Sequence, residues 1–204
     1  MTQLERVLIR LDLDLRQLNV DYAVVGGLAV SVRARPRMTF DIDVAVSVAT
    51  DRDAAAVVHS LGKRGYRLER TLEHEASGRL AGVRLTPPPE LDASIPVDLL
   101  FASSGIEDEL ASEAERLVVL KGVLLPVARV GHLIALKVLA DRADRPQDRV
   151  DALALLAIAP ADERELAKAS LERIEQRGFD RGKDLLRALR ELVLQLEAAG
   201  KLSP

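Results

Sequence analysis

The spacing of apolar residues changes near Val130, and this change constrains the fold more than any other feature of the sequence. Before it, short apolar runs with a period of two alternate with helical segments, whereas after it a period close to 3.6 dominates. This order predicts an α+β protein, with a mixed sheet flanked by helices and then a helical C-terminal portion. We expect a core over residues 1–129 and, packed on it, helices over 130–204.

Local signals place the individual elements, because helices begin at capping residues and end at glycine or proline. Helices are predicted from Thr2 to about Asn19, over 28–35, from Thr50 to about 63, and over about 161–177 and 181–199, with two more between 130 and 156. Strands are predicted over 22–25, 40–47, 66–70, 79–86 and 96–102, with a hairpin over 117–127.

The composition excludes several classes of protein. The chain of 204 residues has no cysteine, which rules out disulfides and thiolate metal sites. Its N-terminal segment lacks the apolar stretch of a signal peptide, and no apolar run has the length of a membrane span. We therefore expect a soluble cytoplasmic protein without a membrane partner.

The net charge of -3 does not indicate a surface that binds nucleic acid throughout. A polyanion would have to meet one of two local arginine clusters, which are Arg33, Arg35 and Arg37, and Arg142, Arg145 and Arg149. Taken alone, such clusters are more typical of solvated faces than of binding sites.

Two aspartates in one predicted strand are the first candidates for a functional site. Asp41 and Asp43 point to the same side of the strand over 40–47, roughly 7 Å apart. Their charges repel each other, and a divalent cation such as Mg²⁺, which prefers hard oxygen ligands, would relieve that repulsion. The pair fits the solvated side of an amphipathic strand equally well, although aspartate is disfavoured inside strands.

A double glycine precedes this pair. Gly26-Gly27 lies between a predicted strand and a predicted helix, where the backbone can approach a ligand closely. The N–H groups that begin the helix favour phosphate oxygens, and Ser31, one turn later, offers a hydroxyl. An isolated Gly-Gly is more often a tight turn without a ligand.

Asp98 is the third acidic candidate, because it stands alone in an apolar strand between Val97 and Leu99. If it faces the other two aspartates, it can help to bind metal and accept the proton of an attacking hydroxyl. A salt bridge to an arginine would also explain its position.

The order of these features resembles the polymerase-β type of nucleotidyltransferase. More closely, Tyr22-Ala-Val-Val-Gly-Gly-Leu-Ala-Val-Ser31 and Arg37-Met-Thr-Phe-Asp-Ile-Asp-Val44 resemble the first motif of the AbiEii/AbiGii toxin family of nucleotidyltransferases. Leu125-Pro-Val127, Leu133-Ile-Ala-Leu-Lys137 and Arg145-Pro-Gln-Asp-Arg-Val-Asp151 are similar to its later motifs. The resemblance covers about residues 20–156. One departure is Gly27, because many superfamily members carry serine there.

Position by position, the resemblance implies a metal site and a nucleotide site. The catalytic, metal-binding carboxylates would be Asp41, Asp43 and Asp98. The triphosphate would be held by Gly26, Gly27 and Ser31, and further nucleotide contacts would come from Arg37 and Lys137.

Lys137 would also be catalytic, as a point charge for a phosphate oxygen. Its alternative is a helix lysine whose ammonium reaches the surface. Asp148 and Asp151, one turn apart, match further motif positions. They would orient Lys137 or an arginine, or would lie near a helix N-terminus where the dipole favours them.

The resemblance implies Mg²⁺-dependent transfer of a nucleoside monophosphate from a nucleoside triphosphate to an acceptor hydroxyl. It further implies a toxin that acts on RNA such as the tRNA 3′ end, with an antitoxin as protein partner. The alternative is a catalytically silent member that binds a nucleotide or a protein, although all three metal carboxylates are present. The histidines, which are His59, His74 and His132, are not spaced as a ligand set.

Overall fold

The computed structural model describes residues 1–36, 38–73, 78–120 and 122–201. The helices of this part of the chain are α1 (Gln3–Gln17), α2 (Gly26–Arg33), α3 (Asp51–Gly62), α4 (Glu107–Ser112), α5 (Val130–Ala140), α6 (Pro146–Ile158), α7 (Ala161–Gln176) and α8 (Leu185–Ala198). Its strands are β1 (Tyr22–Val24), β2 (Ile42–Val46), β3 (Arg67–Glu73), β4 (Leu80–Thr86), β5 (Val97–Leu100), β6 (Glu115–Leu120) and β7 (Val123–Val127).

The strands form one mixed sheet in the order β3-β4-β5-β2-β1-β7-β6. Strand β2 pairs parallel with β5, and β1 pairs parallel with β7, while the other neighbours are antiparallel. This mixed sheet with its helices confirms the α+β prediction. It also puts β2, which carries Asp43, at the centre of the sheet.

Strand β2 differs from the predicted alternating strand over 40–47. It begins only at Ile42, and its Val44 and Ala45 are both fully buried although they point to opposite faces. Both faces are covered because α2 and α4 pack against this strand. Phe40, predicted to share the apolar face, lies before the strand and is 70% exposed.

Two helices differ from what the sequence predicts. Helix α4 was not predicted, because its single turn and a half is too short for a period to show. Helix α8 begins four residues later than expected, since Arg181 and Gly182 adopt positive φ angles. Its start is set by Asp184, whose side chain accepts a hydrogen bond from the Arg187 N–H.

The C-terminal helices are organised around α5. This helix packs against α6, α7 and α8 and also contacts α2. Its residues Leu133, Ile134 and Ala135 are fully buried, as expected for a helix surrounded by other elements. In the described part of the chain, no helix is long and apolar enough to cross a membrane.

Candidate active site

Four neighbouring strands each place one charged residue in a single row across the sheet. In the strand register, Arg70 on β3 faces Arg84 on β4, and Arg84 faces Asp98 on β5. Asp98 in turn faces Asp43 on β2. Directly opposed residues lie on the same face of a sheet, and all four line one cavity of about 890 Å³.

The three aspartates predicted to bind metal converge in this cavity. Carboxylate oxygens of Asp41, Asp43 and Asp98 lie within 4.8 Å of one another. Asp41 lies just before β2, where the Thr39 hydroxyl donates a hydrogen bond to its carboxylate at 3.0 Å. Asp43 and Asp98 are neighbours because parallel pairing of β2 with β5 sets them side by side.

The electrostatics of this cluster suit a divalent cation. Burial, and after it the negative charges of Asp41 and Asp98, together raise the pKa of Asp43 to about 7. Lys137 and Arg84 act in the opposite direction but do not cancel the effect. The three carboxylates repel one another, so full ionisation of all three is unfavourable without a cation. A bound divalent ion such as Mg²⁺, which prefers hard oxygen ligands, would stabilise the fully ionised form.

Gly26 makes room for one of these carboxylates. Its φ of 62° lies in the left-handed region, and a Cβ atom at this position would lie 1.8 Å from Oδ2 of Asp43. The neighbouring Val25 N–H also donates to the Asp43 carbonyl at 2.9 Å. The sequence predicted either phosphate binding or a tight turn at Gly26 and did not reveal this contact, because a double glycine does not show which side chain it faces.

The first turn of α2 offers the cavity an anion-binding helix end. The helix begins at Gly26 and has no side-chain cap at Val25, and both Gly26 and Gly27 line the cavity. The first N–H groups of a helix have no partners within it, so this end favours phosphate oxygens.

Of the predicted nucleotide contacts, Ser31 is not brought to this wall. Ser31 is not among the residues that line the cavity, and its hydroxyl donates to the Gly27 carbonyl at 3.0 Å. A serine inside a helix commonly bonds back to the preceding turn in this way. Arg37 lies outside the described residues.

Lys137 is held inside the site by two carboxylates of α6. Its ammonium lies 2.8 Å from Asp148 and 3.1 Å from Asp151, and the lysine is only 9% exposed. Gln147 donates a further hydrogen bond to Asp151 at 2.7 Å. Because Lys137 also lines the cavity, its side chain is not a surface lysine, and the two aspartates orient it.

Asp98 has an arginine partner in addition to its acidic neighbours. Arg84 donates two hydrogen bonds to the Asp98 carboxylate, at 2.8 and 2.6 Å. The two explanations considered for an aspartate in this strand, a metal site and a salt bridge, therefore coincide. Sequence reasoning missed Arg84, and its only signal was a lone cation in the apolar strand β4.

The two arginine clusters have different environments. Arg33 donates to the carbonyls of Val127 and Ala128, so it ties α2 to the end of β7. Arg145 lines the cavity and lies 3.5 Å from Asp148. Arg181, a cation not singled out in the sequence, also lines the cavity and donates to the Ser103 carbonyl.

The histidines take no part in the acidic cluster. His132 is fully buried, with no hydrogen-bond partner among the described residues, and its Nε2 lies 3.9 Å from a Glu113 oxygen. His59 is exposed on α3. His74 lies outside the described residues.

No curated protein sequence matches this chain significantly. Among solved structures, the chain is similar to an antigenic nucleotidyltransferase-like protein from Paracoccidioides brasiliensis, with 18% identity, 92% of each chain covered and a TM-score of 0.49. It is similar to the lincomycin-bound lincosamide antibiotic adenylyltransferase LnuA, with 17% identity, 76% of this chain and 97% of that chain covered and a TM-score of 0.45. It is also similar to MenT4, a nucleotidyltransferase toxin from Mycobacterium tuberculosis, with 16% identity, 91% and 88% coverage and a TM-score of 0.36.

The family comparison covers nearly the entire chain. Residues 6–202 match the family described as the nucleotidyl transferase AbiEii toxin of type IV toxin–antitoxin systems. The matched region includes the whole sheet and all of the C-terminal helices. It confirms the family indicated by the sequence motifs, and the chain therefore belongs to the AbiEii family of nucleotidyltransferase toxins.

Proposed function

We propose that this nucleotidyltransferase uses Mg²⁺ to transfer a nucleoside monophosphate from a nucleoside triphosphate to a hydroxyl group of RNA. The observation that carries the proposal is the convergence of Asp41, Asp43 and Asp98 beside the uncapped N-terminus of α2. These three residues would hold the divalent ion. When bound, it supplies Lewis-acid stabilisation of the phosphoryl charge and orients the reacting oxygens.

The chain's own groups bind and orient the triphosphate. The first-turn N–H groups at Gly26 and Gly27 face phosphate oxygens, and the Lys137 ammonium balances negative charge that develops on the leaving pyrophosphate. Asp148 and Asp151 fix that ammonium in place, so its position is set before the substrate arrives.

The proton of the acceptor hydroxyl passes to Asp98. The acceptor oxygen then forms a bond to the α-phosphorus, the bond from that phosphorus to the bridging oxygen breaks, and pyrophosphate leaves with the electron pair. Arg84, on the strand beyond Asp98 from Asp43, donates to both oxygens of the Asp98 carboxylate and so fixes the orientation of that carboxylate.

Membership of the family supports a proposal for the acceptor, the partner and the compartment. We infer an RNA acceptor such as the tRNA 3′ end, a cognate antitoxin protein and action in the cytoplasm. Within this proposal the sheet portion, 1–129, carries the metal site, and the helical portion, 130–204, contributes Lys137 and the two aspartates that orient it.

The test is transfer of label from each radioactive nucleoside triphosphate to a total RNA pool in the presence of Mg²⁺. Label should enter RNA with the wild type and disappear with Asp43→Ala. The matched control is Asp21→Ala, which removes an exposed carboxylate away from the cavity and should retain transfer. A wild-type protein that binds the triphosphate and labels nothing would instead support a silent binding module.

Toxicity is tested separately. Induced expression of the wild type should arrest growth, whereas expression of Asp41→Ala should not. Equal growth arrest by both proteins would contradict a toxin that acts through its metal site.

A further inference from the structure

The acceptor side of the cavity carries a pair of arginines that the metal site does not explain. Arg70 on the edge strand β3 lies directly opposite Arg84 on β4, and both side chains line the cavity. Opposed like charges destabilise a sheet. Such a pair is retained most readily where an anion is bound between or beside the two cations.

The two arginines are not equivalent. Arg84 is occupied, because both of its hydrogen bonds at 2.6 and 2.8 Å go to Asp98. Arg70 is exposed, and among the described residues no carboxylate lies within ion-pair distance of it. Its guanidinium is therefore free to bind a group that enters from solvent.

The order of the charged residues across the sheet indicates which of the two substrates Arg70 would contact. Gly26 at the start of α2 adjoins Asp43 on one flank, whereas Asp98, Arg84 and then Arg70 extend on the other. In phosphoryl transfer the attacking and leaving oxygens lie roughly in line on opposite sides of the phosphorus. Pyrophosphate leaving toward α2 thus requires the acceptor to approach over β4 and β3.

We propose that Arg70 binds a backbone phosphate of the acceptor RNA and so selects a polyanionic acceptor. This inference rests on the proposed function, since it takes the α2 flank as the triphosphate side. A guanidinium suits a phosphodiester because its planar N–H groups match two phosphate oxygens. A polycationic small molecule would be repelled on this flank. Leu72, which is 42% exposed, lines the same wall and gives a ribose or base an apolar contact.

The first test measures binding and does not depend on turnover. The probe is a fluorescent single-stranded RNA with the sequence of a tRNA 3′ end, titrated with full-length protein. Arg70→Glu should weaken binding roughly tenfold, the size expected when a hydrogen bond to a charged group is lost. It should also reduce the dependence of log Kd on log salt by about one unit, as for one phosphate contact.

The matched control is Arg67→Glu, which makes the same charge change on the same exposed strand outside the cavity. A thermal unfolding curve for each variant checks that both are folded. If the two variants bind RNA equally well, Arg70 makes no special contact and the inference is overturned, whatever the activity assay shows.

The second test separates the acceptor from the triphosphate. Arg70→Gln should raise KM for RNA and leave KM for the nucleoside triphosphate and kcat unchanged. A rise in KM for the triphosphate instead would place Arg70 on the leaving-group side and overturn the inference. If the wild type labels no RNA but Arg70→Glu still loses RNA binding relative to Arg67→Glu, the proposed function fails, and of this inference only the contact between Arg70 and an RNA phosphate stands.

Discussion

The carboxylate of Asp43 occupies the space in which a side chain at Gly26 would lie. The separation of 1.8 Å between Asp43 Oδ2 and an ideal Cβ at position 26 leaves no room for even a methyl group. Gly26 is also in the left-handed region, with a φ of 62°. The acidic cluster and the start of α2 are therefore a single unit, and a change at the glycine displaces the aspartate.

Gly26→Ala should lower both stability and activity. The left-handed backbone alone costs about 1–2 kcal/mol for a residue with a Cβ atom. Displacement of Asp43 should lower the transfer rate by about a hundredfold or more, since small errors in geometry are costly in positioned reactions. Urea denaturation and the RNA-labelling rate measure the two effects.

The control for this change is Gly62→Ala, at the end of α3, where a Cβ would meet no atom within 4 Å. It should leave activity unchanged and be neutral or stabilising by up to about 1 kcal/mol. Normal activity of Gly26→Ala would contradict the steric role assigned to Gly26.

Asp43→Asn should stabilise the metal-free protein at neutral pH. The pKa of Asp43 is raised from 3.8 to about 7 by burial and by its acidic neighbours, so the folded state binds more protons than the unfolded state between these values. The contribution of this group to stability is thus full below pH 3.8 and is lost as pH rises to about 7. The gain from the neutral side chain should be on the order of 4 kcal/mol above that range.

Unfolding free energies measured across this pH range, with metal removed by a chelator, test the sign. Asp21→Asn, at an exposed position, should not change the pH dependence. Added Mg²⁺ should stabilise the wild type and not Asp43→Asn. A metal-free Asp43→Asn that is less stable than the wild type at neutral pH would overturn the electrostatic account of the cluster.

Lys137→Met should unfold more easily and transfer more slowly. The substitution leaves Asp148 and Asp151, which are 5% and 0% exposed, without their shared cation. Removing one partner of a buried ion pair costs about 3–5 kcal/mol. Loss of a positioned charge at the reacting phosphate should also lower the transfer rate at least about a hundredfold.

A compensated variant separates these two effects. Replacing both aspartates by asparagine in the Lys137→Met background removes the negative charges that Lys137 balanced, so most of the stability should return. Single-turnover labelling should remain slow. Recovery of the transfer rate together with stability would show that Lys137 acts only through folding.

His132 should make the protein less stable in mild acid. Burial lowers the pKa of His132 from 6.5, whereas the nearby Glu113 acts in the opposite direction. Because the unfolded state then binds more protons, the free energy of unfolding falls as pH drops below 6.5. His132→Leu should remove part of that fall, as measured by urea midpoints on either side of this pH.

His59→Gln, at an exposed position of α3, serves as the comparison. His59→Gln should show the same difference in urea midpoint between the two pH values as the wild type. If the urea midpoint of His132→Leu changes with pH as much as that of the wild type, another group causes the acid sensitivity.

The parts of the molecule that sequence predicted best are those set by local signals. The capping box of Thr2 with Glu5 begins α1 as expected, and that of Thr50 with Asp53 begins α3. The acidic cluster was predictable for a different reason. Asp41 and Asp98 stand out because a carboxylate in or beside an apolar strand needs a partner, and the family motifs supplied the pairing.

What sequence did not reveal depends on contacts between distant parts of the chain. The pairing of Arg84 with Asp98 follows from the register of β4 against β5, and no local pattern specifies that register. The steric role of Gly26 likewise requires knowing that Asp43 lies beside it. The sequence also did not reveal that the Ser31 hydroxyl donates to a carbonyl within α2, which depends on side-chain rotation, and its contact with the triphosphate stays a prediction.

The position of helix α5 determines whether the chain can be shortened to its sheet portion. Lys137 reaches the cavity from this helix, whose apolar residues are buried between α2 and the other C-terminal helices. A fragment that ends at residue 129 would uncover that apolar surface and lose one wall of the cavity, although it keeps the three clustered carboxylates. The boundary between residues 129 and 130 therefore marks a change of secondary structure, but it is not a suitable position at which to truncate the chain. An inactive partner for crystallisation or antitoxin capture is better made by a point substitution in the full chain.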